Sequence, residues 1–202
     1  MNRGRAIGVV LLAAGEASRY GAAKQLLVVD GEPMARRMAR AALAVSPWVT
    51  VVIGAHGEAV AHALHGLAAE TVLHARWPDG MGSSLAFGVR HMRRRRAALD
   101  AIVICLADQP AIGATHLRAL VAASEAAPAS IVASAHGDGV QGAPCLFPAR
   151  FFDELEALDG PEGARRLLLR HAGEVHGVPM PEARIDIDTP HDYRRWQAAH
   201  AG

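Results

Sequence analysis

Gly15, Ser18, Arg19, Gly21 and Lys24 follow directly on the aliphatic run Val9-Val10-Leu11-Leu12. Residues of these types at this spacing suit the binding of an anion. Small residues at Ala13, Ala14 and Gly15 let main-chain N–H groups approach a ligand, and a concave set of such groups attracts phosphate. Arg19 adds a flat fork of donors and Lys24 a mobile point charge. Carboxylates stand at two further places, Asp108 in Ala107-Asp108-Gln109-Pro110 and the pair Asp186 and Asp188 in Asp186-Ile187-Asp188-Thr189-Pro190. A carboxylate delivered beside a phosphate loop suits a bridging Mg²⁺. Asp108 reads equally well as a cap of the turn before Pro110, and the later pair reads equally well as residues that open a helix with Thr189.

A sheet has to hold these groups. Residues 7–13 and 100–106 are nearly unbroken aliphatic runs, as central parallel strands require, and strands are also expected at 49–53, 71–74 and 130–134. Helices are expected from Pro33 through Met34, Met38 and Leu43, at 55–67 with Val60, Leu64 and Leu67 inward, through Leu85, Val89 and Met92, and at 114–126. Residues 77–84 read as a flexible segment in which Ser83 or Ser84 caps the helix that follows. The alternation predicts an α/β fold, a doubly wound and mostly parallel sheet with right-handed crossovers. The last third is less regular. A loop is expected at 136–140, a strand at 143–147, helices at 149–158 and 162–171, and short strands at 174–178 and 184–187, one of them antiparallel to the rest. Strand alternation over 184–187 would place Asp186 and Asp188 on one face. A closing helix begins near Pro190, capped by Thr189, with Trp196 inward. In an open sheet of this kind ligands sit beyond the carboxyl ends of the strands, so the Gly15 loop and Asp108 are expected to face one cleft.

Composition sets the outer limits. A chain of 202 residues with 51% hydrophobic residues is expected to form one domain, 1–202. A net charge of +1 gives no footprint for nucleic acid, and Arg93-Arg94-Arg95-Arg96 reads as the solvated end of a helix. No run approaches the roughly 20 apolar residues of a membrane span, and the first residues do not resemble a signal peptide. Cys105 and Cys145 lack metal or redox spacing and are expected as buried thiols in a cytoplasmic protein. The histidines, among them His56, His74 and His136, show no recurring ligand spacing. The loop is neither a Walker A motif, since no G-K-[ST] closes it, nor the G-x-G-x-x-G of a dinucleotide fold.

The pattern Leu12-Ala13-Ala14-Gly15-x-x-Ser18-Arg19-x-Gly21-x-x-Lys24-x-Leu26-Leu27 resembles the signature of the MobA-like nucleotidyltransferases. Gly80-Met81-Gly82-Ser83-Ser84-Leu85, Asp108-Gln109-Pro110, Gly142-Ala143-Pro144, Gly160-x-x-Gly163-Ala164-Arg165 and Asp186-Ile187-Asp188-Thr189-Pro190-x-Asp192 resemble, in order, the blocks of the molybdopterin cytidylyltransferase branch of that family. The resemblance implies a Rossmann-like nucleotide-diphospho-sugar transferase fold. It also implies transfer of CMP from CTP to the phosphate of molybdopterin with release of pyrophosphate. On that basis Leu12, Ala13, Ala14, Gly15, Ser18, Arg19, Gly21, Lys24, Gly82, Ser83 and Ser84 are the expected nucleotide contacts. Arg19, Lys24 and Asp108 are expected to be catalytic, and Asp108 with Asp186 or Asp188 to hold Mg²⁺. Gln141, Gly142, Pro144 and Arg165 are expected on the acceptor side, with Arg165 also readable as a solvated helix residue.

Several rival readings stay open. Ala14 stands where guanylyl members carry glycine and favours CTP over GTP. A sugar-phosphate transferase, a cofactor-holding chaperone that hands its cargo to a molybdoenzyme, and a small-molecule oxidoreductase are the alternatives on one scaffold. The partners expected are small molecules, with a transient contact to a molybdoenzyme and none to nucleic acid or membrane.

Overall fold

The computed structural model describes residues 5–16, 20–21, 23–137 and 139–200. In chain order it begins with β1 (Ile7–Ala13), the short strands β2 (Val28–Val29) and β3 (Glu32–Pro33), α1 (Met34–Leu43), β4 (Val49–Ile53), α2 (Gly57–Ala63), β5 (Glu70–Leu73) and α3 (Met81–Arg95). It continues with β6 (Ala101–Leu106), α4 (Ala114–Ala126), β7 (Ile131–Ala135), β8 (Gln141–Pro148), α5 (Phe152–Glu156), α6 (Arg165–Arg170), β9 (Val175–Pro179) and α7 (Pro190–His200).

Seven strands form one sheet in the order β5-β4-β1-β6-β8-β7-β9. β1 lies parallel to both β4 and β6. The chain winds outward through β4 to β5, then returns to the far side of β1 at β6. Strand order therefore reverses between β1 and β6, and in such a sheet the crevice at that point is where ligands bind. The aliphatic runs explain why these strands are central. Alternate residues of β1 serve opposite faces: Val9 and Leu11 pack with Met38 of α1, Val60 of α2 and Leu117 of α4, while Val10 and Leu12 pack with Leu85 and Val89 of α3, Leu155 of α5 and Leu167 of α6. A third, smaller cluster joins Trp196 of α7 to Ile187, Val29 and Met34. Cys105 and Cys145 are buried and free, and burial pushes the Cys105 thiol up to about 12.

The α/β architecture and mostly parallel sheet agree with expectation; four local readings need correction. β8 is the antiparallel strand, inserted between β6 and β7, whereas β9 runs parallel to β7. Residues 184–187 are not a strand: a 3-10 turn at Pro181–Arg184 leads into an extended segment held by Ile187 N–H donating to Asp108 O (3.2 Å). Asp186 and Asp188 thus share no strand face. The segment at 77–84 is ordered, with a 3-10 turn at Trp77–Asp79 and α3 already starting at Met81, so Ser83 and Ser84 lie within its first turn and do not cap it. α2 spans Gly57–Ala63 only. Among the described residues no helix is long and apolar enough to cross a membrane.

Candidate active site

β1 ends at Ala13 and hands over to Ala14, Gly15 and Glu16, while β6 ends at Leu106 and hands over to Ala107 and Asp108. Between them opens a cleft of ≈ 370 Å³. Its lining is of two kinds. Glu16, Lys24, Asp108 and Asp188 give it charge, and Leu12, Ala14, Trp77, Pro78 and Met81 give it apolar surface.

Lys24 opens a short 3-10 helix and joins the charged groups: its Nζ donates to Asp108 Oδ2 and to Asp188 Oδ1, each at 2.7 Å. Burial opposes the charge on this half-buried ammonium, yet the carboxylates of Asp108 and Asp188 prevail and raise its pKa above the ordinary lysine value. Asp108 Oδ1 is buried and without a hydrogen-bond partner. Asp186 presents its outer edge to solvent, but desolvation of its carboxyl, and then the like charges of Asp108 and Asp188, push it up to about 7 against the pull of Lys24. Two carboxylates thus hold one ammonium, and the Asp186 carboxyl feels the charge of all three. The site has an excess of negative charge that a further cation would relieve. No three or more His, Cys, Asp or Glu side chains are pre-assembled as a metal cage among the described residues. Mg²⁺ does not require one, because it is held by one or two carboxylates and completes its shell with phosphate oxygens and water. The residues present fit that ion, and Asp108 and Asp188 are the carboxylates that could hold it.

Asp188 owes its position to the chain on either side. Asp192 Oδ2 accepts from Thr189 N (2.8 Å), Thr189 Oγ1 (2.7 Å) and Asp188 N (3.3 Å), and Thr189 Oγ1 accepts in turn from Asp192 N (3.2 Å). This reciprocal cap opens α7, as Thr189 was expected to do, and fixes the backbone of Asp188. Gln109, next to Asp108, is buried, and its Nε2 donates to Ala143 O (2.9 Å) and Ala183 O (2.7 Å), tying β8 and the 181–184 turn to the end of β6.

Of the residues expected to bind nucleotide, Leu12, Ala13, Ala14, Gly15, Lys24 and Ser84 line the cleft. Ser18 and Arg19 lie outside the described residues. Gly21 is exposed and off the cleft wall. Gly82 turns its N–H to Gly160 O (2.8 Å), and the Ser83 hydroxyl pairs with His74 Nε2 (2.9 Å), so neither presents itself to the cleft. His74 is buried, and desolvation, then Arg76, lowers its pKa. Asp186 does not line the cleft although Asp188 does. Gln141, Gly142 and Pro144 are the first residues of β8, which run past the last paired residue of β6 at the same rim as Asp108. Arg165 is exposed at the start of α6 and off the cleft.

Sequence reasoning missed three contributors. Gln25 is 3% exposed, and its Nε2 donates to Gly15 O (2.6 Å) and more distantly to Ala13 O (3.4 Å), bracing the turn at the end of β1. Its one sequence signal is an amide between Lys24 and two leucines. Trp77 and Met81 supply apolar wall, and an aromatic beside a glycine-rich segment is the signal that could have found them.

The MobA-like NTP transferase domain model matches residues 9–175. The purine catabolism protein PucB of Bacillus subtilis (strain 168) is 33% identical over 197 residues, covering 91% of this chain and 92% of that protein. Rv0371c of Mycobacterium tuberculosis H37Rv superimposes with a TM-score of 0.81 at 27% identity, covering 96% of this chain and 98% of the other. That protein has also been solved in complex with manganese (TM-score 0.76, 26% identity, 96% and 99% covered). A nucleotidyl transferase from Methanothermobacter thermautotroptrophicus gives a TM-score of 0.80 at 25% identity, with 97% and 98% covered. The chain belongs to the MobA-like NTP transferase family and is a nucleotidyltransferase.

Proposed function

We propose that this protein transfers CMP from CTP to the terminal phosphate of molybdopterin, releasing pyrophosphate. The observation that carries the reading is the Lys24 ammonium, pinned at 2.7 Å between Asp108 and Asp188 where strand order reverses. The reaction is an in-line displacement at the α-phosphorus by a phosphate oxygen, and in such a step a protein chiefly positions reactants and neutralises charge. The main chain of Ala13 to Gly15, braced by Gln25, holds the nucleotide. Lys24 stabilises charge developing at the α-phosphate, and Arg19 clamps the departing β- and γ-phosphates. Asp108 and Asp188 would hold Mg²⁺, which would supply electrophilic neutralisation of the phosphate oxygens. The manganese complex of Rv0371c supports a divalent ion in the family. The attacking phosphate is already ionised near pH 7, so no general base is needed.

The rim residues Gln141, Gly142 and Pro144 are placed to receive the acceptor, and the exposed Arg165 is left out of the site. Ala14 favours CTP. It lines the cleft beside Gly15 and is buried where the loop packs against Gly54. The test is a thermal-shift comparison of CTP, GTP, ATP and UTP with Mg²⁺, followed by pyrophosphate release with molybdopterin. Ligands of the native state raise its stability with the logarithm of concentration over Kd. A shift led by CTP, with pyrophosphate released, is expected. A shift led by GTP would reverse the base assignment, and tight cofactor binding without pyrophosphate would mark a chaperone.

A further inference from the structure

We propose that Trp77, flanked by Met81, is the platform on which the substrate's planar heteroaromatic ring stacks. The inference rests on the nucleotidyl-transfer reading and names the element of the cleft that holds the ring.

The physical grounds lie in how Trp77 is seated. Its indole packs on the core cluster beneath α3, yet it stays partly exposed and lines the cleft. The ring lies so close over Gly54 that a Cβ there would stand 2.8 Å from Trp77 Cγ. The residue following β4 is thus small enough to admit both the indole and the Ala14 turn. Met81 is 42% exposed although apolar, and it also lines the cleft. An indole and a thioether left in water beside charged groups cost free energy that a flat ligand ring would recover. Both surfaces are polarisable and suit the face of a heteroaromatic ring. Phosphate groups gain nothing from them, and Lys24 serves those elsewhere on the wall. Ser84, buried on the same lining, contributes a hydroxyl to it.

A nucleobase and a pterin present the same ring chemistry, so the test uses both. Calorimetry on the full chain compares wild type, Trp77→Leu and Trp77→Phe with CTP and Mg²⁺, tripolyphosphate and Mg²⁺, and neopterin. Base stacking on aromatic side chains is strong enough that Trp77→Leu should weaken CTP by about ten- to a hundred-fold. Tripolyphosphate affinity should hold within twofold, and Trp77→Phe should restore most of the CTP affinity. Loss confined to neopterin would assign the platform to the acceptor ring. The idea fails if Trp77→Leu leaves both rings within twofold, or weakens tripolyphosphate as much as CTP.

A fluorescence arm guards against a misfolded variant. Trp48 lies under Arg96 and Trp196 stacks on His200, both away from the cleft. Replacing these two by phenylalanine leaves Trp77 as the sole indole. CTP should then quench its emission and tripolyphosphate should not; equal quenching by both, or by neither, counts against the platform. If wild type binds no nucleotide, the transferase reading falls and neopterin alone decides, with no binding of either ring overturning both.

Discussion

Gly82 sits in the first turn of α3, where alanine would ordinarily be the better residue. A Cβ at this position would stand 2.3 Å from the Asp159 carbonyl oxygen and 2.7 Å from its carbon. These are backbone atoms, so the 159–160 turn or the start of α3 has to move by about an ångström to restore van der Waals distance. Overpacking of this sort costs about 1–3 kcal/mol. The helix gains back about 0.5–1 kcal/mol when glycine becomes alanine. Gly82→Ala should therefore destabilise the fold by about 1–2 kcal/mol, which for a chain of this size lowers Tm by roughly 2–8 °C. Gly173 offers a control, since nothing lies within 4 Å of its added Cβ. Gly173→Ala should stay within about 0.5 kcal/mol of wild type. Urea and thermal unfolding of the three proteins decide the matter, and CTP affinity should fall in Gly82→Ala because Met81, the adjoining residue, lines the cleft. A Gly82→Ala protein that melts at or above the wild-type temperature would refute the argument, since helix propensity would then be the only effect at work.

Further outcomes follow from the same geometry. Lys24→Met and Asp108→Asn should each reduce pyrophosphate release by about 10²–10³, the loss typical of a missing transition-state charge stabiliser, while circular dichroism stays native. Asp192→Ala removes the acceptor of three hydrogen bonds at the start of α7; a lost cap costs about 1 kcal/mol, and activity should drop further than that because the backbone of Asp188 loses its anchor, as urea midpoints and steady-state rates on one preparation would show. His171 bonds Glu154 (3.0 Å), whose hydrogen bond raises the imidazole pKa, and the same bond lowers that of Glu154. The raised His171 contributes stability that is complete below its unfolded value near 6.5 and is lost as pH rises through its folded value, while the lowered Glu154 contributes above about 4.3 and is lost on acidification. Stability relative to His171→Gln should accordingly peak between about pH 4.5 and 6.5, by less than about 1 kcal/mol for so solvated a pair.

The parts of the site carried by single strands could be read from residue order. An aliphatic run ending in Gly15 and another ending in Asp108 say where two strands stop, and burial on both faces says that they are central. Strand direction is another matter: Gln141–Pro148 has the same apolar character whether it runs with or against β6, and only the short connection from β7 favours the antiparallel choice. Glycines at 80 and 82 suggested flexibility, but close approach of the 159–160 backbone gives the same composition and a rigid result. The alternation Asp186-Ile187-Asp188 suggested a strand, yet Ile187 is inward because α7 packs over it, and the sheet edge is already taken by β9. The roles of Gln25 and Trp77 were hard to read for a different reason: each acts on a neighbour that the local pattern does not name, Trp77 on Gly54 and Gln25 on the turn ten residues earlier.

The bond between Lys24 and Asp188 spans 164 residues, and the one between Lys24 and Asp108 spans 84. During synthesis the loop after β1 precedes the other strands of the sheet, and its lysine waits for one carboxylate until β6 has followed and for the other until β9 has been made. The segment after β9 acts as a latch: until Ile187 docks on the Asp108 carbonyl, Lys24 has one of its two carboxylate partners and lacks the other. The charged cluster around Lys24 is therefore complete only after every strand of the sheet has been made.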